Sequence, residues 1–107
     1  PPLSLVLPDG NTIRLNYWNS LLIEVAQYLH STGKLTATAC PLRRSAANRY
    51  LVHTTPQHPN GKPFFAAVQV GNLYLETNQS APGLVSNALF LIRHLDENPD
   101  AFKVGVR

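Results

Sequence analysis

A chain of 107 residues with 44% apolar side chains has material for one hydrophobic core and too little for two, which excludes a pair of independently folded domains. Charged residues make up only 14%, against about 25% in an average soluble protein, and the balance of +3 is far from the dense basic surface of a DNA-packaging protein. No run approaches the roughly 18 consecutive apolar residues of a membrane span, so no membrane partner is expected.

The chain opens on Pro1-Pro2 and has no methionine, so residues 1–107 are expected to be a single domain cut or processed from a larger protein. Cys40 is the one cysteine and has no internal disulfide partner, which suits a reducing cytoplasm.

Leu3 to Leu7 reads as a strand, and Pro8-Asp9-Gly10-Asn11 supplies a fixed φ, a side-chain acceptor and a left-handed position, the ingredients of a hairpin turn. Thr12 to Leu15 returns with Ile13 and Leu15 on one face. From Asn16 or Ser20 the period changes: Leu22, Val25, Ala26 and Leu29 form a helical stripe that Gly33 closes.

Leu35 to Ala39 reads as a further strand, and the polar stretch Leu42 to Arg49 as a loop. Tyr50 to His53 is a short strand. The segment Thr55 to Pro63 carries three prolines and an Asn-Gly pair and predicts a rigid surface loop. Two strands, Phe64 to Val70 and Leu73 to Thr77, flank the two-residue turn Gly71-Asn72.

Ser80 caps a second helix that tolerates Pro82 in its first turn and carries Leu84, Ala88, Leu91 and Leu95 on one stripe; Asn98-Pro99 ends it. Phe102 to Val106 is a last strand. The expected class is α+β, in the order β-β-α-β-β-β-β-α-β, with one mostly antiparallel sheet covered by both helices.

Three groups of residues have chemistry to offer. Arg43, Arg44 and Arg49 cluster in one loop and Lys62 sits in the next; the planar guanidinium suits phosphate, although a short charge run is also what a solvated loop looks like. Asn78 and Ser80 stand at the start of the second helix, where free N–H groups favour an anion; capping alone also explains Ser80.

The third group is His53, His58 and Glu76, residue types that ligate metal or move protons, at a spacing that matches no metal signature. His30, Arg93 and His94 lie at helix C-termini, where positive charge is favoured. Cys40 reads as a small buried hydrophobe. GxSxG, GxxxxGK and GxGxxG are all absent. Tyr17, Trp18, Tyr50, Phe64, Phe65 and Tyr74 have the choice between core packing and stacking on bases.

Three stretches together carry a resemblance: Asp9-Gly10 with Tyr17-Trp18 and the helix to Gly33; Arg49-Tyr50-Leu51-Val52 with His58-Pro59-Asn60-Gly61-Lys62; and Leu73 to Ala81 leading into the last helix. The ensemble resembles small bacterial accessory domains appended to restriction- or defence-type enzymes. That resemblance is one of pattern and transfers no catalytic residue; it implies recognition by the domain while chemistry happens elsewhere.

The sequence therefore points to a nucleic-acid recognition module of a larger bacterial defence or restriction-type protein, contacting phosphate, with DNA as a candidate, through Arg43, Arg44, Arg49, Lys62, Asn78 and Ser80. No cofactor is expected, and the domain by itself reads as a non-enzyme. A protein-interaction or dimerisation domain is the alternative, and a small metal-assisted hydrolase or nuclease on His53, His58 and Glu76 a weaker one.

Overall fold

A computed structural model of the chain describes residues 2–43 and 49–106. Strands β1 (Pro2–Val6) and β2 (Thr12–Arg14) form the expected hairpin, with Leu5 opposite Ile13. Its turn follows from three residues. Pro8 presets the bend, Gly10 takes φ 91°, and the Asp9 carboxylate accepts the Asn11 amide at 2.9 Å. The Leu7 carbonyl accepts the Gly10 amide, and the Leu7 amide bonds the Asn11 carbonyl.

Helix α1 (Trp18–Ser31) buries Leu21, Leu22, Val25, Ala26 and Leu29. It ends as its glycine requires: Gly33 turns left-handed at φ 80°, and the amides of Lys34 and Leu35 both reach back to the Leu29 carbonyl at 2.9 Å. Because that bond occupies the Leu35 amide, the following residues do not join a sheet. The strand expected over Leu35 to Ala39 is instead a short 3₁₀ turn, Ala37–Ala39, with Leu35 buried beneath it.

After β3 (Val52–His53), strands β4 (Ala67–Val70) and β5 (Leu73–Glu76) pair antiparallel around Gly71-Asn72. Gly71 has a positive φ and Asn72 does not, the sign pattern of a type II′ hairpin turn. Helix α2 (Ala81–His94) starts at Ser80, whose Oγ accepts the Gly83 amide at 3.3 Å, and places Leu84, Ala88, Leu91 and Ile92 inward. Strand β6 (Lys103–Val106) closes the chain.

The class is α+β. The strands divide into two three-stranded antiparallel sheets, β2-β1-β6 and β3-β5-β4, where one sheet was expected. Strand β6 returns to pair with β1, Leu5 facing Val104, while β5 takes β3 on one side and β4 on the other. The two helices pack on each other, and α1 touches both β1 and β4. Leu5, Leu22, Leu29, Leu73, Leu75 and Leu91 are each fully buried in one continuous core fed by both sheets and both helices. A Lys34–Glu97 ion pair at 3.7 Å links the segments that follow the two helices. Among the described residues no helix is long and apolar enough to cross a membrane.

Candidate functional site

The segment His58-Pro59-Asn60-Gly61-Lys62 repeats the device of the first hairpin, residue type for residue type where the geometry needs it. The Gly61 amide bonds the His58 carbonyl at 2.9 Å, the Asn60 side chain accepts the Lys62 amide at 3.0 Å, Gly61 takes φ 83°, and the His58 amide closes the turn on the Lys62 carbonyl at 2.8 Å. Pro-Asx-Gly thus fixes Lys62 on a stiff tip. Gln57 bridges Pro63, and the Phe64 amide reaches the Pro56 carbonyl at 2.7 Å, so the loop is a small hairpin of its own.

What pins this hairpin to the sheet is Glu76, the last residue of β5. The residue is 6% exposed, and both side-chain oxygens are occupied. Oε2 accepts the Phe65 amide at 2.7 Å and His58 Nε2 at 3.2 Å; Oε1 accepts the Ala66 amide at 2.8 Å and the Asn78 amide at 3.2 Å. Burial pushes the carboxyl up, but the backbone donors Ala66, Phe65 and Asn78, together with His58, outweigh it and hold Glu76 below the usual carboxylate range. Thr77 adds a second tie, its amide and hydroxyl both bonded to the Ala66 carbonyl.

The tautomer of His58 follows from its neighbours. The Tyr50 amide donates to Nδ1 at 3.0 Å, so Nδ1 is an acceptor and the ring proton sits on Nε2, which donates to Glu76. Its ring also lies 4.7 Å from the buried Phe64 ring, centroid to centroid. His58 and Glu76 therefore join the Tyr50 segment, the proline loop and the entry to α2 in one hydrogen-bonded knot.

Over this knot lies a cleft of about 260 Å³. Arg49 and Lys62 supply its cations, Asn60 and Asn78 its amides, and Phe65 and Pro63 its apolar surface, with His58 and Glu76 beneath. Arg49, Lys62, Asn60 and Asn78 are exposed, and neither cation takes part in an ion pair among the described residues. Two cations, Arg49 and Lys62, against the one carboxylate of Glu76 leave the lining with a formal excess of positive charge.

Of the sequence candidates, the structure brings Arg49, Lys62 and Asn78 to this cleft. Arg43 does not line it; its guanidinium sits 5.3 Å over the Tyr50 ring, a cation–π contact one residue behind the cleft wall. Arg44 lies outside the described residues. Ser80 spends its oxygen on the α2 cap.

The metal grouping of His53, His58 and Glu76 does not assemble. His58 and Glu76 meet, but every acceptor position that a metal would use is already bonded to an N–H. Among the described residues no set of three His, Cys, Asp or Glu side chains is arranged to hold an ion. His53 lies instead against the Tyr50 ring at 4.8 Å.

Sequence reasoning missed Asn60 as a lining residue and left Phe65 undecided between core and surface. The structure separates the adjacent pair: Phe64 is 7% exposed and Phe65 82%. The strand expected over Phe64 to Val70 begins only at Ala67, so the pair lies in the bend before β4, where strand alternation does not apply and the sequence carries no signal for which ring turns inward. His30 and His94 have local partners, Asn72 Oδ1 at 3.2 Å and the Phe90 ring at 5.1 Å. Cys40 is half-buried with its thiol toward the Thr36 carbonyl, and burial raises its pKa, away from nucleophilic character. Compared with models of known protein families, with curated proteins and with solved structures, the chain matches none of them.

Proposed function

We propose that this domain is a nucleic-acid recognition module, contacting phosphate through Arg49 and Lys62, within a larger bacterial protein of the restriction or defence type. The observation that carries the reading is the cleft itself, which gathers two cations from separate segments, neither in an ion pair among the described residues, over a carboxylate already satisfied by N–H donors. Arginine forks and lysine points are the usual phosphate contacts, and amide side chains beside them are suited to sugar or base edges. Arg43, held over Tyr50, extends the positive surface beyond the cleft. The placement in a larger chain rests on the resemblance of the sequence to accessory domains of restriction- and defence-type enzymes.

The test is a titration of labelled DNA and RNA at several salt concentrations. Binding should weaken linearly in log–log form, and Arg49→Ala and Lys62→Ala should each reduce the salt slope by about 1. Absence of binding at about 50 mM salt, where the electrostatic contribution is strong, would overturn the proposal.

One observation favours a second reading, a protein-interaction domain. Strand β6 is the edge of its sheet and leaves Val104 45% and Val106 60% exposed, an apolar pair on a strand edge that no other strand covers among the described residues. Lys103 on the same strand opposes indiscriminate pairing. A concentration-dependent shift in sedimentation that Val106→Lys abolishes would support it; a monomer at all concentrations would weigh against self-association.

A further inference from the structure

We infer that the cleft takes an unpaired nucleotide, with a base lying against the Phe65 ring, so that the ligand is single-stranded nucleic acid rather than duplex. This rests on the phosphate-contact reading of Arg49 and Lys62 and adds to it the form of the ligand.

Phe65 is the reason. Its ring stands 82% exposed at the cleft, whereas the adjacent Phe64 fills the interior. Folding gains almost nothing from an aromatic ring left in water, so the ring is available for a flat apolar partner. It is also held in place: the Phe65 amide is bonded to Glu76 Oε2 at 2.7 Å and the Ala66 amide to Oε1 at 2.8 Å, which fixes the backbone on which the ring is mounted. A platform fixed before binding loses little freedom on binding.

A duplex can use such a platform only where its stack is wedged open. Its bases are stacked on one another and present only their edges in the grooves, so a ring face is offered only by a base that has left the stack. The dimensions agree. A cleft of about 260 Å³ falls just below the roughly 300 Å³ at which drug-sized pockets begin, which is room for a single base. The remaining groups match the rest of a nucleotide. Arg49 and Lys62 suit the phosphates on either side, and the Asn60 and Asn78 amides suit a base edge or sugar hydroxyl. The Asn60 carbonyl is committed to the Lys62 amide, so what it offers a ligand is its NH₂.

The experiment compares four fluorescein-labelled probes of equal phosphate count: oligodeoxyuridylate, oligouridylate, a strand of abasic sites, and a blunt duplex of two annealed strands. Each is titrated with the 107-residue chain and with its Phe65→Ala and Phe65→Trp variants. Both base-bearing strands should bind more tightly than the abasic strand and the duplex. Phe65→Ala should weaken them by about 5- to 100-fold, to the abasic level, and Phe65→Trp should retain binding. The deoxyuridylate and uridylate strands share a base and differ at the 2′-hydroxyl, so the difference between them reports whether the site favours DNA or RNA. Equal binding of all four probes, unaffected at Phe65, would overturn the single-strand inference and leave the phosphate contacts standing. Tighter binding of the duplex would overturn it too. No binding of any probe at low salt would remove both. Circular dichroism of the variants establishes that any loss is not unfolding, which the exposure of Phe65 makes the expected result.

Discussion

His58 donates its Nε2 proton to Glu76 Oε2 over 3.2 Å while accepting the Tyr50 amide on Nδ1, so one neutral imidazole couples three segments of the chain. The pair is arranged as support: each of its hydrogen-bonding atoms is used within the protein, and the cleft is built on top of it. Replacing Glu76 with glutamine preserves the shape and breaks the logic. Whichever side the new NH₂ takes, it faces two donors, either Phe65 N–H with His58 Nε2–H or Ala66 N–H with Asn78 N–H. Glu76→Gln should destabilise the domain by about 2–4 kcal/mol, measured by urea denaturation.

The same carboxylate predicts an acid-sensitive fold. Its pKa is depressed in the folded chain, so its stabilising contribution is complete above the unfolded value of about 4.3 and drains away as pH falls through the folded value. Thermal melts should show stability that is flat in this respect above about pH 5 and declines below it. In Glu76→Gln the acid decline should be shallower, although the starting stability is lower. An equally steep decline in the variant would show that other carboxylates dominate the acid transition.

Much of this architecture was legible in the sequence where the determinants are local. Pro-Asp-Gly and Pro-Asn-Gly each announce a turn because proline, an Asx acceptor and a left-handed glycine act within five residues, and Gly33 ends α1 for an equally local reason. What escaped depends on partners outside such five-residue windows. Leu35 to Ala39 has a strand's alternation, but its first amide is claimed by Leu29 of the preceding helix. The return of β6 to β1, which divides the strands into two sheets, leaves no local trace in the sequence. Nor does the burial of Glu76. In sequence it is a polar residue leaving a strand; only the proline loop folded over it turns it into an interior carboxylate. Arg43 and Arg49 looked equivalent for the same reason, and the cleft distinguishes Arg49 from Arg43.

A close approach between helix and turn gives a sharper test of the packing. Gly71 lies directly under the His30 ring, and a Cβ there would fall 2.2 Å from the ring's Cε1, while φ 58° already disfavours any other residue. Gly71→Ala should cost about 1–3 kcal/mol. In a His30→Ala background the cost should shrink to the backbone part alone, because the ring that would be displaced is gone. A double-mutant cycle by urea denaturation measures the difference, and additivity of the two substitutions would contradict the contact.

Asn78 and Ser80 are two residues apart and read alike in the sequence, yet the structure assigns them opposite work. The Ser80 oxygen accepts the Gly83 amide and so satisfies a donor of α2, whereas the Asn78 side chain lines the cleft and only its backbone amide is engaged by Glu76. Ser80→Ala should therefore lower stability by about 1 kcal/mol and leave oligonucleotide affinity unchanged. Asn78→Ala keeps the backbone bond, so its stability should stay within about 0.5 kcal/mol of the native chain while affinity falls. Urea denaturation and fluorescence anisotropy on the same two variants read both quantities. If Ser80→Ala weakened binding at unchanged stability, the anion contact would belong to the helix start rather than to the cleft, and Arg49 and Lys62 would lose their place at its centre.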